Sequence, residues 1–209
     1  MKLLLASTNP GKLVEIQAVL NGLPIELLLP ADIGIKLQVE ETGQTYAENA
    51  ALKARAYWQA SRLVSLADDS GLEVDVLDGA PGLHSARYSP KPGASDADRR
   101  AYLLEQLRGL RPPAGLPGWP AKFVCTVAIA DLEGQIHLAE GFCPGFIITE
   151  ERGTHGFGYD PLFYIPKYGG TMAELGPEIK NRISHRARAL QAARPILEKL
   201  IKEYKNQNI

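Results

Sequence analysis

Leu3-Leu4-Leu5-Ala6-Ser7-Thr8-Asn9-Pro10-Gly11-Lys12 sets a short apolar run directly against a polar turn. Leu13, Ile16, Val19 and Leu20 then recur at helical spacing, so the opening reads strand, tight turn, helix. At such a junction free backbone N–H groups and the helix dipole favour an anion, and Lys12 adds a point charge suited to phosphate. The loop lacks the Gly-x-x-x-x-Gly-Lys spacing of a P-loop, so taken alone it reads more simply as a capped strand-to-helix turn.

Working outward, Ile25 to Leu29 is a second strand, and the Ala-rich stretch from Tyr46 to about Arg62 is a helix. Thr45 caps it, Glu48 completes a capping box, and Asn49, Lys53 and Tyr57 share one face. Leu63 to Ala67 is a buried strand that ends in Asp68-Asp69-Ser70-Gly71, with Leu72 to Leu77 extended again before a turn at Asp78-Gly79. Asp96 to Leu107 is helical. Arg111 to Pro120 holds four Pro and two Gly, which makes it a surface loop suited to joining two lobes. Phe123 to Ala130 and Ile136 to Ile148 are antiparallel strands joined at Glu133-Gly134, because too few residues separate them for a helical crossover. A Gly-rich turn covers Gly153 to Pro161. The last helix, Ala187 to Tyr204, carries Leu190, Ala193, Ile196, Leu197 and Leu200 on one face and Ser184 as its cap. Early alternation of strands and helices followed by a hairpin predicts an α/β protein with a mixed sheet.

Bulk composition narrows the function classes. The chain has 209 residues, 45% of them hydrophobic, enough for one substantial core. Lys plus Arg number 23 against 24 for Asp plus Glu, so no global field steers the protein to nucleic acid or an anionic membrane. Cys125 and Cys143 form no CxxC and no zinc pattern, which fits a reducing compartment. The first apolar run is too short for a signal peptide, and no stretch approaches the roughly 20 residues of a membrane span. The expectation is a cytoplasmic protein with neither a nucleic acid nor a membrane as partner.

Four further constellations carry chemistry. Glu40-Glu41 precedes the Gly43 turn, and Asp68-Asp69 closes an apolar strand, where a carboxylate is costly unless paired or metal-bound. Neighbouring side chains of a strand point to opposite faces, so Asp68 and Asp69 cannot both enter one site unless the strand has ended. Mg²⁺ takes one or two protein carboxylates and fills its shell with water and phosphate oxygens, so Glu40 or Glu41 with one aspartate suffices. The residues themselves choose neither member of either pair. Lys53 shares a helix face with Asn49. Gly153-Thr154-His155-Gly156-Phe157-Gly158-Tyr159-Asp160-Pro161 combines flexible glycines with two aromatics, as expected where backbone approaches a planar ligand and a ring stacks on it. Lys180-Asn181-Arg182-Ile183-Ser184-His185-Arg186 gathers donors at what reads as a helix start, where cations oppose the dipole unless an anionic ligand is present.

Together these strings resemble the inosine triphosphate pyrophosphatase family, the house-cleaning XTP/dITP diphosphatases. The matches run from Ser7 to Arg186: Ser7, Asn9, Lys12 and Glu15; Glu40-Glu41-Thr42-Gly43 with Asn49-Ala50 and Lys53-Ala54; Ala67-Asp68-Asp69-Ser70-Gly71-Leu72; Pro81-Gly82 with Ser85-Ala86-Arg87-Tyr88; Gly156 to Pro161; and Lys180-Asn181 with Ser184-His185-Arg186. Two departures are Ile179, where an acidic residue commonly precedes the lysine, and the Pro-rich loop. The resemblance implies a long mixed sheet flanked by helices in two lobes with a cleft between them, one two-lobed domain over 1–209, and a homodimer. It implies hydrolysis of non-standard purine nucleoside triphosphates to the monophosphate and pyrophosphate. It puts the phosphate loop on Ser7, Thr8, Asn9, Pro10, Gly11 and Lys12, the Mg²⁺ carboxylates on Glu40 and Asp69, and the general base on Asp69 with Lys53 beside it. The other substrate contacts it implies are Ser70, Phe157, Gly158, Tyr159, Asp160, Lys180, His185 and Arg186. Lys180 and Arg186 offer only donors, which suit a 6-oxo purine and not the 6-amino group of adenine. A pyrophosphatase for modified pyrimidine nucleotides and a non-catalytic nucleotide-binding module are the alternatives.

Overall fold

The structure, a computed structural model, describes residues 1–207. In chain order its main elements are β1 (Lys2–Leu5), α1 (Pro10–Leu20), β2 (Glu26–Leu28), α2 (Tyr46–Ser61), β3 (Val64–Val74), α3 (Asp96–Gln106), β4 (Trp119–Ala130), β5 (Ile136–Ile147), β6 (Phe163–Ile165), β7 (Gly170–Thr171), α4 (Gly176–Ile183) and α5 (His185–Gln207). The strands form one seven-stranded sheet in the order β2-β1-β3-β4-β5-β6-β7. It is mixed: β1 runs parallel to β2 and β3, while β6 is antiparallel to both β5 and β7. The α/β class read from the sequence holds.

The chain resolves into two compact units, the first made of Met1–Asp69, Cys125–Gly141 and the residues from His185 onward, the second of Ser70–Val124 and Phe142–Ser184. In the first unit the period of two along β1 sorts its leucines between two cores. Leu3 and Leu5 pack with Val64, Leu66, α1 (Ile16, Leu20) and α5 (Leu190, Ala193, Leu197, Leu200), while Leu4 packs with Ala67 and α2 (Ala50, Ala54, Tyr57). Helices therefore cover both faces of the sheet in this unit. The register Leu3↔Val64, Leu4↔Ser65, Leu5↔Leu66 fixes which face each residue of β3 serves. Gly141 lets α5 begin against β5, since a Cβ there would collide with the backbone of His185 and Ala189 and lie 2.8 Å from the carbonyl carbon of Arg188. The second unit has its own core, built around Leu72, Leu103, Trp119, Phe123, Ile147, Tyr159, Phe163 and Met172. Ser95 and Asp98 close a capping box at the start of α3.

Several expected boundaries move. β3 does not end before Asp68; it runs on to Val74, because Leu72 and Val74 are buried and carry the strand forward. Trp119 is buried and draws itself and Pro120 into β4, so the Pro-rich loop is shorter than read, and it lies wholly inside the second unit, where it joins no lobes. Glu48 takes the amide of Gln44 at 2.6 Å, one residue before the cap, so only the Thr45 half of the capping box forms. Helix α4 is an additional element: its Gly176-Pro177 start resembles a turn in sequence, although Pro at the first turn is favourable to a helix. Its presence makes Ser184 close α4 while it still directly precedes the last helix, which begins at His185.

The β4–β5 turn is tied by Asp131, whose carboxylate accepts the amides of Glu133 (3.0 Å) and Gln135 (2.9 Å) and meets His137 Nε2 at 2.7 Å. Burial would raise this carboxyl, but the His137 contact and the two amides hold it below the usual carboxylate range. A carboxyl lowered on folding contributes stability above its unfolded pKa, and that contribution is lost as pH falls below about 4. Asp131→Asn is expected to melt a few degrees below the parent at pH 6, with the gap narrowing as pH falls below about 4. Melting curves across that range check it.

Candidate active site

The first unit carries the acidic and phosphate-suited residues. Asn9 caps α1, its side chain accepting the Lys12 amide at 3.3 Å, and Ser7 Oγ accepts the Asn9 amide at 3.3 Å. Pro10 supplies a favourable first helical position. Thr8, Asn9 and Pro10 are exposed, while Ser7, Gly11 and Lys12 are half-buried. Lys12 Nζ lies 3.1 Å from Asp68 Oδ2.

Because β3 continues through the acidic pair, the alternation argument applies in full and the two aspartates face opposite ways. Val64 and Leu66 face α1 and α5, so Asp68 does too: its Oδ2 meets Lys12 of α1 and, at 3.0 Å, Arg186 Nε of α5. Arg186 also pairs with Glu15. Asp69 falls on the α2 face with Ala67, where Asn49 Nδ2 reaches it at 3.2 Å and Lys53 Nζ at 3.2 Å. Lys53 simultaneously holds Glu41 at 2.7 Å. Asn49 Oδ1 accepts the Gly43 amide at 2.8 Å, which seats the acidic segment against α2. Gly43 has no room for a Cβ, which would sit 2.6 Å from that of Glu48.

The two carboxylates differ in electrostatics as they differ in direction. Burial would raise Asp68, but Lys12, then Arg186 and Lys53, overcome it and hold this carboxyl far below the usual range. Burial raises Asp69, and there the opposing pull of Lys53 is offset by Glu41, so its carboxyl stays above the usual range. Lys53 is raised despite burial, chiefly by Asp69 and Asp68. One aspartate is thus a neutralised anchor and the other an under-compensated carboxylate, the pattern in which two titratable neighbours take different tasks.

The second unit carries the aromatic turn. Gly156 (φ +80°) and Gly158 (φ +61°) sit in the left-handed region that favours glycine. Asp160 is buried, accepts the Phe157 amide at 2.9 Å and pairs with Lys180, whose Nζ is 4.7 Å from the Phe157 ring centroid. Tyr159 is buried and its hydroxyl donates to the Ser85 carbonyl at 2.9 Å. Ser70, half-buried, follows Asp69 along β3.

The expected residues therefore form two sets, and two expectations change. Lys180 and Arg182 end α4, where the dipole welcomes a cation, so only His185 and Arg186 stand at a helix start. Arg186 was expected among the substrate contacts; it is 1% exposed and its guanidinium serves Asp68 and Glu15. Glu41 reaches Lys53, while Glu40 is exposed and makes no ion pair among the described residues. Glu15 is a functional residue that the motif alone does not assign, although a carboxylate beside the buried Ile16 of α1 signals a buried cation.

The Ham1 family model matches residues 3–196 of this chain. The chain belongs to the Ham1 family. It is 46% identical over 200 residues to a dITP/XTP pyrophosphatase of Desulforamulus reducens, covering 96% of this chain and 97% of that protein. It is 47% identical over 189 residues to a dITP/XTP pyrophosphatase of Geobacter sulfurreducens, covering 90% and 92%. Among solved structures, a Ham1 protein from Coxiella burnetii superposes with a TM-score of 0.83 at 39% identity, over 95% of this chain and 99% of that one. A nucleoside-triphosphatase / dITP/XTP pyrophosphatase from Mycobacterium abscessus gives 0.71 at 42% identity, over 92% and 98%. Among the described residues of this Ham1 chain, no helix is long and apolar enough to cross a membrane.

Proposed function

We propose that this Ham1 chain is a cytoplasmic, Mg²⁺-dependent hydrolase that splits non-standard purine nucleoside triphosphates (dITP, ITP, XTP) into the monophosphate and pyrophosphate. The observation that carries the reading is the division of labour in Asp68-Asp69: one carboxylate holds Lys12 at the head of an anion-suited turn, and its neighbour remains under-compensated beside Lys53. Relatives named dITP/XTP pyrophosphatases share this chain almost end to end.

The donor chemistry fits a hard divalent cation. Asp69 is buried beside Glu41 with more negative charge than Lys53 offsets, and Glu40 presents a further free carboxylate one residue away. No group of three or more such ligands gathers among the described residues, so water and phosphate oxygens would complete the shell, the habit of Mg²⁺. Glu40 and Asp69 would hold the ion, which when bound supplies charge neutralisation to the triphosphate. Ser7 to Lys12, with Lys53 and Ser70, take the phosphates. Asp69 accepts the proton of the water that attacks the α-phosphorus as the bond to the leaving pyrophosphate breaks. Phe157 to Asp160 with Lys180 take the base, Phe157 by its ring face and Lys180 by donating to a 6-oxo group, and His185 is a further substrate contact. Arg186 acts on Asp68 and leaves the base to Lys180. A homodimer is the assembly proposed, read by light scattering.

The test is a panel of purine and modified pyrimidine triphosphates with Mg²⁺, products separated as monophosphate plus pyrophosphate or diphosphate plus phosphate. Inosine and xanthosine triphosphates turned over to the monophosphate, with activity lost to a chelator, is the expected result. Preference for pyrimidines, or tight binding without released pyrophosphate, defeats the proposal. Lys180→Ala is expected to raise KM for ITP about tenfold or more, the cost of a hydrogen bond from a charged donor, with kcat little changed, and to lower the melting temperature because it strands the buried Asp160. Steady-state kinetics decide it.

A further inference from the structure

The turn proposed to meet the base holds itself only in part, chiefly by the Phe157 amide on Asp160. Gly153, Gly156 and Gly158 all adopt positive φ, and glycine loses more freedom on ordering than any other residue. Gly158 is anchored from α3, by residues 58 and 62 positions upstream and outside every motif in the sequence. Asp96 Oδ2 accepts the Gly158 amide at 2.7 Å, and Arg100 donates to the Gly158 carbonyl at 2.9 Å. Four residues apart on a helix, these two side chains share one face and close on both polar groups of a single residue. Each is itself held. Asp96 sits in the first turn of α3, where the dipole favours a carboxylate, and pairs with Arg99; Arg100 pairs with Glu151 at 2.9 Å.

The consequence for the turn is specific. With the Gly158 N–H taken by Asp96, that donor is not offered to a ligand, and its C=O is fixed in direction by Arg100. What the turn presents is the half-buried Phe157 ring and the Lys180 amine 4.7 Å from its centroid, and the neighbouring anchors fix their spacing: Phe157 N–H on Asp160, Lys180 on Asp160, Tyr159 hydroxyl on Ser85. Loosening Gly158 frees the one link between Phe157 and Tyr159 that these contacts do not cover.

We propose that Asp96 and Arg100 are positioning residues that clamp Gly158 and thereby set how sharply the enzyme discriminates among purine bases. The inference rests on the reading of the turn as the base contact. It is tested on the full chain with Mg²⁺, comparing Asp96→Ala, Arg100→Leu and Asp96→Asn with the parent on ITP and GTP, together with amide hydrogen exchange over residues 153–162. Asp96→Ala and Arg100→Leu should each raise KM for ITP about tenfold, the loss of one charge-assisted hydrogen bond, with kcat within about threefold. They should narrow the ITP-to-GTP ratio and speed exchange in the turn. Asp96→Asn keeps an acceptor for the amide and should recover most of both. Unchanged exchange overturns the clamp; faster exchange with an unchanged ratio overturns its role in discrimination. Phe157→Ala and Lys180→Ala separate the two levels: if they shift the ratio and Asp96→Ala does not, the clamp fails alone, and if none shifts it, the base reading fails with it.

Discussion

Asp69→Asn should lower kcat by at least about a hundredfold, the usual scale for removing a general base, and should leave the melting temperature unchanged or raised. The second half of this expectation makes the first informative. The Asp69 carboxyl is raised by burial, and Lys53 does not fully compensate it. A carboxyl whose folded pKa exceeds its unfolded value is a net cost to folding at neutral pH, because the fold disfavours the ionised form. Replacing it with a neutral isostere removes that cost and keeps Asn49 and Lys53 within reach of an oxygen. Stability and turnover therefore move apart, as they do where a site stores charge for its chemistry. Measurement at saturating Mg²⁺ separates proton transfer from weakened metal binding. Near-normal turnover in a folded Asp69→Asn variant ends the assignment.

How much of this was legible beforehand differs between backbone and side chains. The opening strand, turn and helix, the Ala-rich α2 and the apolar stripe of α5 announce themselves because each period is strong and each cap is local. The two-sided burial of β1 follows from an unbroken leucine run. Helix α4 was hidden because its first turn is Gly-Pro and it spans eight residues, too short for periodicity to speak. The same omission reversed the electrostatic reading of Lys180, since a cation cannot be judged against a dipole whose helix end is unknown. At the acidic pair, alternation along a strand correctly said that Asp68 and Asp69 must part company, yet it could not say which faced what. That answer needs the register of β3 on β1 and the identity of the helix on each face, both set by contacts distant in sequence. Asp96 and Arg100 lay beyond reach altogether, because nothing in an ordinary amphipathic helix reports that two of its polar residues close on a glycine 58 positions beyond Arg100.

Arg186→Ala is the complementary case, and here stability should collapse first. The guanidinium is 1% exposed and bridges two carboxylates, Asp68 and Glu15, that are themselves buried. Truncating it strands two negative charges with Lys12 as the nearest cation to Asp68, and breaking a buried pair from one side costs about 3–5 kcal/mol. For a chain of this size that lowers the melting temperature by about 6–20 °C. Lysine is a poor substitute, since one ammonium cannot reproduce the separate Nε contact to Asp68 and terminal contact to Glu15. Activity should fall as well, through Lys12, whose place at the phosphate turn depends on an Asp68 carboxylate that Arg186 keeps ionised and oriented. Glu15→Gln offers the internal check. If the arginine is an anchor, the double variant Glu15→Gln with Arg186→Ala should be less destabilised than the two single losses summed, because each change removes the reason the other was costly. If instead Arg186 met the base, Arg186→Ala would raise KM with an unmoved melting temperature, and the two variants would add.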